Sequence, residues 1–232
     1  MKYKDVVKEI SIYKSPAKAK TSQWFFKTEK GQYGYGDVFV GLTVPEMKKV
    51  SKKFWDISLE EVQKLLNSKI HEERYIGLTI MDIKFTKGND KDKKAIVNLY
   101  LSNTKNVNNW DLVDTSAYSI LGEYLLDKKR DILYKFSKSK SLWERRISIV
   151  TTYTFIKNGE FQDTLDISKN LLDDKEDLIH KAVGWMLREV GKKDERVLKN
   201  FLVNNIKKLP RTTLRYAIER FSEPERKKFL KM

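Results

Sequence analysis

The sequence predicts an all-α protein, and two observations support this prediction. Only four prolines and ten glycines interrupt the 232 residues, and long stretches repeat their apolar residues with the helical period. Short polar stretches that open new amphipathic helices also recur about every 30–40 residues, the range of helical-pair solenoids. We therefore predict a single domain over residues 1–232, a curved α-solenoid of stacked helical pairs with a concave face.

A glycine-rich segment, Gly31–Gly36, is the clearest loop before these repeats. Its glycine spacing resembles a dinucleotide-binding fingerprint, but no strand precedes it and no βαβ unit surrounds it. We interpret it as a connection between the first helices. The connection ends at Pro45, which we expect at the first position of the next helix, where the missing N–H of proline has no cost.

Each predicted helical pair opens with a polar stretch that leads into an apolar pattern. The five openings are Ser68–Arg74, Thr104–Trp110, Ser139–Arg145, Asp173–Ile179 and Lys207–Thr213. The first and the fourth openings are rich in acidic residues, which favour the positive end of a helix dipole. The helices at the two ends of the chain are expected to be atypical caps of the stack.

The charge of the chain points to an anionic partner. Forty-seven Lys and Arg residues against 32 Asp and Glu residues give a formal net charge of +15, which favours phosphate groups or an anionic membrane surface. The basic residues are spread along the chain and are not gathered in one amphipathic segment, so nucleic acid is favoured over a membrane. A genome rich in lysine codons is the alternative explanation.

Composition also excludes several kinds of site. The chain has no cysteine, so it has no disulfide, thiolate zinc site, iron–sulfur cluster or cysteine nucleophile. His71 and His180 are its two histidines, and we interpret both as structural because no second titrating partner is visible. Met1–Ile10 lacks the apolar region of a signal peptide, and no run is long enough to span a membrane. We expect a soluble cytoplasmic protein without cofactor or metal.

The helix predicted from Trp110 carries a carboxylate in an unusual position. Its apolar stripe consists of Val113, Ala117, Ile120 and Tyr124. Asp114 follows Trp110 by four residues, so the two side chains share a face at the edge of that stripe. A charge is rarely buried without a partner. Asp114 is therefore either a functional carboxylate or a residue that offsets the helix dipole or pairs with an arginine.

A second tryptophan, Trp185, lies off the apolar stripe of its helix. That stripe consists of Ile179, Val183, Met186 and Val190. The helical neighbours of Trp185 are Lys181 and Arg188, so the indole lies on a basic face. Contact with a sugar or a base would explain this arrangement. The alternative is a tryptophan buried against the next repeat.

Two pairs of arginines are candidate phosphate ligands. Arg145 and Arg146 are adjacent and point in different directions, so one can lie in a groove while the other pairs with an acid. Arg211 and Arg215 are four residues apart and share a face on which each could bind a phosphate. The alternative for the second pair is an exposed, solvated face.

These residues together resemble the HEAT-like-repeat DNA glycosylases of the AlkD type, called DNA alkylation repair enzymes. The matching stretches are Asn109–Asp114, Leu142–Arg146, His180–Glu189 and Pro210–Ala217, with Gly41–Glu46 near the N-terminus. The resemblance extends from the N-terminal helices to the C-terminus, and the order of the stretches makes it specific.

The resemblance implies a right-handed superhelix of HEAT-like helical pairs whose basic concave face holds double-stranded DNA. It implies excision of positively charged N3- and N7-alkylated purines in base-excision repair. The family's catalytic aspartate corresponds to Asp114 and its two groove tryptophans to Trp110 and Trp185. Its phosphate-binding arginine corresponds to Arg146, with Arg145 as the other possible register. A lesion-contacting aromatic residue falls within Trp24–Phe26.

On this interpretation the chain is a monomeric, monofunctional glycosylase that needs no cofactor and does not flip the base into a pocket. Further DNA-binding candidates are Arg145, Lys181, Arg188, Arg211 and Arg215. One alternative is a catalytically inactive protein that binds damaged or branched DNA. A protein–protein scaffold, the common function of helical solenoids, is another.

Overall fold

The computed structural model describes residues 1–232 and is all-helical, as the sequence predicts. The only extended pairing is an isolated bridge between Val38 and Ile70. The chain divides into two compact units, residues 1–116 and 117–232, and the single domain stays a prediction. No helix combines the length and the apolar character needed to cross a membrane.

The first unit contains seven α-helices. They are α1 (Tyr3–Ile12), α2 (Pro16–Phe25), α3 (Val44–Lys53), α4 (Leu59–Leu66), α5 (His71–Lys87), α6 (Asp90–Ser102) and α7 (Trp110–Ser116). The central helix is α5, which packs against α3, α4, α6 and α7. Its residues Ile76, Ile80 and Met81 are fully buried, and apolar burial of this kind supplies most of the stability of a helical unit.

The second unit begins with a π-helix and continues with eight α-helices. They are the π-helix Ala117–Gly122, α8 (Asp131–Ser137), α9 (Leu142–Thr151), α10 (Tyr153–Lys157), α11 (Gln162–Asn170), α12 (Asp177–Lys193), α13 (Glu195–Asn205), α14 (Arg211–Ala217) and α15 (Glu223–Lys231). The central helix here is α12, which packs against α9, α10, α11, α13 and α14. Its predicted stripe from Ile179 to Val190 is buried, and Trp185 lies off it and is half-buried.

All five predicted openings lead into helices, which start at His71, Trp110, Leu142, Asp177 and Arg211. The first position of α3 was predicted wrongly. Thr43 and Glu46 form a capping box around the start of this helix, so Val44 occupies the first position and Pro45 the second. Proline is tolerated there as well, because the N–H groups of the first turn have no helical acceptor.

The stripe predicted to continue to Tyr124 is also displaced. Ala117 and Ile120 are buried as predicted, but Leu125 is buried where Tyr124 was expected, and Tyr124 is half-exposed. The π-helix between Ala117 and Gly122 explains the difference. Its wider turn inserts one extra residue, so the buried face moves forward by one position.

Gly184 allows α12 and α14 to approach closely. A Cβ atom at this position would lie 2.5 Å from Tyr216 Cβ and 2.7 Å from the carbonyl oxygen of Thr213. We expect Gly184→Ala to lower the free energy of unfolding by about 1–3 kcal/mol, the usual cost of overpacking. Urea denaturation followed by circular dichroism measures this change.

Gly191→Ala in the same helix is the matched control. Its Cβ would meet the end of the buried Leu198 side chain at 2.4 Å and no backbone atom, so side-chain repacking can relieve the contact, while the gain in helix propensity of about 1 kcal/mol is the same. Equal losses of stability in the two variants would contradict the proposed role of Gly184.

Candidate active site

A cavity of about 750 Å³ opens in the first unit among α2, α3, α5 and α7. We call it the aromatic pocket, because Phe25, Phe26, Phe39 and Trp110 line it. Asp114 lines the same pocket and is half-buried. The structure thus brings together the two α7 residues that the sequence singled out, and it does so beside a pocket that the sequence did not predict.

Trp110 is held in this pocket on several sides. Its ring stacks on Phe26, with 5.3 Å between ring centroids, and meets the edge of Phe25 at 5.9 Å. Its Nε1–H donates a hydrogen bond of 3.2 Å to the hydroxyl of Tyr33. Gly34, beside Tyr33, lets the loop pack on the end of α2, since a Cβ atom there would lie 2.3 Å from the carbonyl oxygen of Phe26.

Asp114 lies one helical turn after Trp110, at the edge between the pocket and the core of the unit. Its negative charge reaches the buried Tyr100. Burial raises the pKa of the Tyr100 hydroxyl, and the charge of Asp114 raises it further. Tyr100 therefore stays protonated and donates to Ser116 Oγ, or accepts from it, at 3.2 Å.

A buried chain of alternating charges supports the start of α7. His71 is 1% exposed, with its Nδ1 3.1 Å from Asp37 Oδ2 and its Nε2 2.8 Å from Asp111 Oδ2. Asp37 in turn accepts a hydrogen bond of 2.7 Å from Arg74 Nη2. The order Asp111, His71, Asp37, Arg74 alternates carboxylate and cation when His71 is protonated, so each buried charge has an opposite neighbour.

The pKa values agree with this charge pattern. Burial by itself lowers the pKa of His71, but the charge of Asp111 and the hydrogen bonds with Asp111 and Asp37 outweigh burial and raise it to about 9. Burial raises the pKa of Asp37, but the hydrogen bond from His71 and the charge of Arg74 outweigh this and lower it. At neutral pH both residues are therefore charged.

The sequence-based reason for treating His71 as isolated was wrong, because two carboxylates flank it. Asp37 lies in the connection after the glycine-rich loop, and its distance from His71 along the chain hid the contact. Asp111 is the α7 aspartate that serves as the structural, paired residue near a helix start. Both α7 aspartates line the aromatic pocket, and Asp111 is the one that pairs with His71.

The three N-terminal aromatic candidates, Trp24, Phe25 and Phe26, differ in whether they line the aromatic pocket. Phe25 and Phe26 line the aromatic pocket, whereas the side chain of Trp24 is 79% exposed and does not line it. Phe26 also stacks on Phe39 at 5.0 Å and lies 5.1 Å from the ring of His71. Phe26 is therefore part of the pocket wall, while the half-exposed Phe25 is available at the surface.

In the second unit Trp185 is one of a row of three aromatic rings. Its ring lies 6.0 Å from that of Tyr153, which meets the ring of Tyr118 edge-on at 5.3 Å. All three rings are half-buried. The sequence analysis missed both tyrosines, because they belong to the π-helix and to α10 and are far from Trp185 along the chain.

The two adjacent arginines of α9 differ in their surroundings. The guanidinium of Arg145 pairs with Asp174, with 2.5 Å between Nε and Oδ2. Arg146 is 5% exposed and donates to the carbonyl oxygen of Leu178 near the start of α12. The expectation that one of the pair bonds an acid thus applies to Arg145, and Arg146 is the more buried of the two.

The remaining basic candidates also differ. Lys181 pairs with Asp177 at 2.8 Å, and Arg188 pairs with Glu189 and Glu219. Arg211 and Arg215 are exposed, and Arg211 donates to the carbonyl oxygen of Leu230 at 3.0 Å. Their shared exposed face agrees with a phosphate contact and equally with the solvated alternative.

The protein is all-helical, and the packing of its helices lines one pocket with aromatic residues and the two aspartates of α7. The chain belongs to the DNA alkylation repair enzyme family, whose model matches residues 6–221. The family implies DNA as the substrate, and the resemblance inferred from the residues is confirmed.

A solved structure similar to this chain is that of a predicted DNA alkylation repair enzyme from Enterococcus faecalis. The two share 17% sequence identity with a TM-score of 0.73, over 90% of this chain and 97% of the other. This likeness supports the all-helical fold. No curated protein has a matching sequence.

The charge of His71 should stabilise the folded state in a pH-dependent way. Its pKa is raised on folding, so its contribution is fully present below about 6.5 and is lost as pH rises through about 9. We expect His71→Gln to lower the free energy of unfolding by on the order of 3 kcal/mol at pH 6. The difference from the parent should shrink towards pH 10, as urea denaturation across this range will measure.

His180→Gln is the control, because His180 bonds only the carbonyl oxygen of Asp174, at 2.7 Å. A stability difference for His71→Gln that stays constant from pH 6 to pH 10 would show that packing, and not charge, explains the role of His71.

Proposed function

We propose that this protein is a DNA glycosylase that excises positively charged N7- and N3-alkylated purines, such as 7-methylguanine and 3-methyladenine, from duplex DNA. The observation that carries the proposal is a half-buried carboxylate, Asp114, lining a pocket together with the indole of Trp110. Membership of the DNA alkylation repair enzyme family supports it. DNA is the substrate that the family implies, and the lesion class is the one that the family resemblance implies.

Alkylation at N7 or N3 gives the purine a positive charge, so the base leaves as a neutral molecule. The glycosidic bond then breaks with positive, oxocarbenium character on the sugar, and the leaving base needs no proton from an acid. The reaction instead needs a negative charge near C1′ and a water molecule that is held for attack. Asp114 supplies the negative charge and holds the water molecule. A preorganised charge in a partly dry site can contribute several kcal/mol.

Trp110 stabilises the same developing charge through its aromatic face. The face of an indole attracts a cation, with a contribution of about 0.5–2 kcal/mol that depends on desolvation. Trp110 is fixed for this role by its stacking on Phe26 and its hydrogen bond to Tyr33. In the second unit we assign sugar contact to Trp185 and a phosphate contact to Arg146, as the family resemblance implies.

Recognition follows from charge and not from the shape of the base. The net charge of +15 attracts the DNA backbone without reading its sequence. The walls of the aromatic pocket are mainly apolar, so they offer few hydrogen bonds with which to read a base edge. Lys18 and Lys48 line the pocket, but both are exposed to solvent, whereas a Schiff-base lysine is activated by desolvation, and we therefore expect base release without strand cleavage.

Asp114→Asn should abolish most activity and preserve DNA binding. We expect base release from a duplex with one 7-methylguanine to fall at least about 100-fold, the scale of losing one preorganised electrostatic group. Affinity for the same duplex should be retained or rise slightly, because a neutral amide does not repel phosphate as a carboxylate does. Single-turnover base release and fluorescence anisotropy measure the two quantities.

Asp56→Asn, which removes an exposed carboxylate elsewhere in the first unit, is the control and should behave like the parent. If the parent itself releases no base but binds the duplex in a salt-sensitive manner, the protein is the inactive binder of damaged or branched DNA, and the proposal is overturned.

Phe25 should contribute to catalysis more than Trp24 does. Phe25 meets Trp110 edge-on in the aromatic pocket, and the exposed Trp24 does not line it. We expect Phe25→Ala to slow base release about 2- to 10-fold, the value of one aromatic pair. Trp24→Ala should have little effect in the same assay, and a larger effect of Trp24→Ala would reverse this assignment.

A further inference from the structure

A second, polar pocket in the first unit has no role in the chemistry proposed so far. Its volume is about 250 Å³. It is lined by Tyr35, Gly36, Asp37, Asn67, Ser68, Lys69, Arg74, Lys105, Asn106 and Asn108. We call it the basic pocket, because three of these residues are cations and one is an acid.

The floor of the basic pocket contains a buried donor without an acceptor. Arg74 is 4% exposed, and its two terminal nitrogens donate to the carbonyl oxygen of Ser68 at 2.9 Å and to Asp37 Oδ1 at 2.7 Å. Its Nε–H, however, has no hydrogen-bond partner. A buried donor left unsatisfied costs about 1–3 kcal/mol, and more when it is charged, so an acceptor that reaches this nitrogen from the pocket would remove that cost.

The charges around this donor select an anion. Lys69 and Lys105 are exposed and have no ion-pair partner in the structure. The only carboxylate, Asp37, is already engaged by His71 and by Arg74 itself. The pocket therefore has an excess of positive charge that its own acid does not neutralise.

A phosphate group fits these features better than a carboxylate does. Its oxygens can accept from the Nε–H of Arg74 at the floor and from the two lysine ammonium groups at the mouth at the same time. The other unpaired atom in the pocket, Asn108 Oδ1, is an acceptor that a water molecule of the phosphate's hydration shell can satisfy.

We propose that the basic pocket binds one phosphate of the DNA backbone. The phosphate site stands on the residues above, and only the choice of DNA as its source rests on the proposed function. Such a contact would also be tied to the candidate active site, because Arg74 bonds Asp37, which bonds His71, which bonds Asp111 at the start of α7. A bound phosphate would thus fix the position of the duplex relative to α7, the helix that carries Asp114.

The Nε–H of Arg74 reports binding directly. We would follow its ¹H–¹⁵N signal while adding inorganic phosphate at constant ionic strength, with sodium chloride as the reference, and then while adding an undamaged duplex. We expect a saturable change with phosphate and a similar change with the duplex. Lys69→Ala combined with Lys105→Ala should weaken phosphate binding about tenfold, the value of two exposed charge contacts.

The salt dependence of duplex binding is the second measurement, and it does not require catalysis. The Lys69→Ala, Lys105→Ala variant should lower the slope of log affinity against log salt by about 1, as expected for one lost phosphate contact. Lys91→Ala combined with Lys94→Ala, which removes two exposed lysines of α6, is the matched control and should leave the Arg74 signal unaffected.

Three results are decisive. No change of the Arg74 signal with phosphate overturns the site. A change with phosphate but not with the duplex overturns DNA as the source. A change with both, in a protein that releases no base from methylated DNA, supports this phosphate site and rejects only the glycosylase proposal.

Discussion

The first unit depends on one buried interaction, the His71 side chain held between two carboxylates. Asp37 belongs to the connection that follows the glycine-rich loop, and Asp111 belongs to the first turn of α7. Because a lone buried charge costs several kcal/mol, none of these groups can be moved without leaving another unpaired. The interaction therefore fixes the loop, α5 and α7 relative to one another.

Residues of this chain of charges line both pockets of the first unit. His71 and Asp111 line the aromatic pocket, and Asp37 and Arg74 line the basic pocket. The rings of Phe26 and Phe39 stack beside His71 and shield it from water, which strengthens the charge interactions inside. These contacts hold the side chains in place within the free protein, which is the preorganisation that the proposed electrostatic catalysis requires.

The basic residues of the chain fall into two groups, those with a carboxylate partner and those without one. In the second unit Arg145, Lys181 and Arg188 each have a carboxylate partner, so they also link or stabilise helices. Lys69 and Lys105 of the first unit have none, and their charge is available to an anion. Net charge alone predicts attraction to DNA, but only the pairing of each residue shows where a specific contact is possible.

The sequence by itself determined the helical fold and the starts of its main helices, and it predicted Trp110, Asp114 and Trp185 as candidate site residues. Helical period, polar helix openings and residues off an apolar stripe are all local patterns that a single sequence carries. The tertiary structure alone decided which residues surround them. Asp37 meets His71, and Tyr153 meets Trp185, across long stretches of chain that leave no signal in a single sequence. The same holds for the pockets, since a cavity exists only between packed elements.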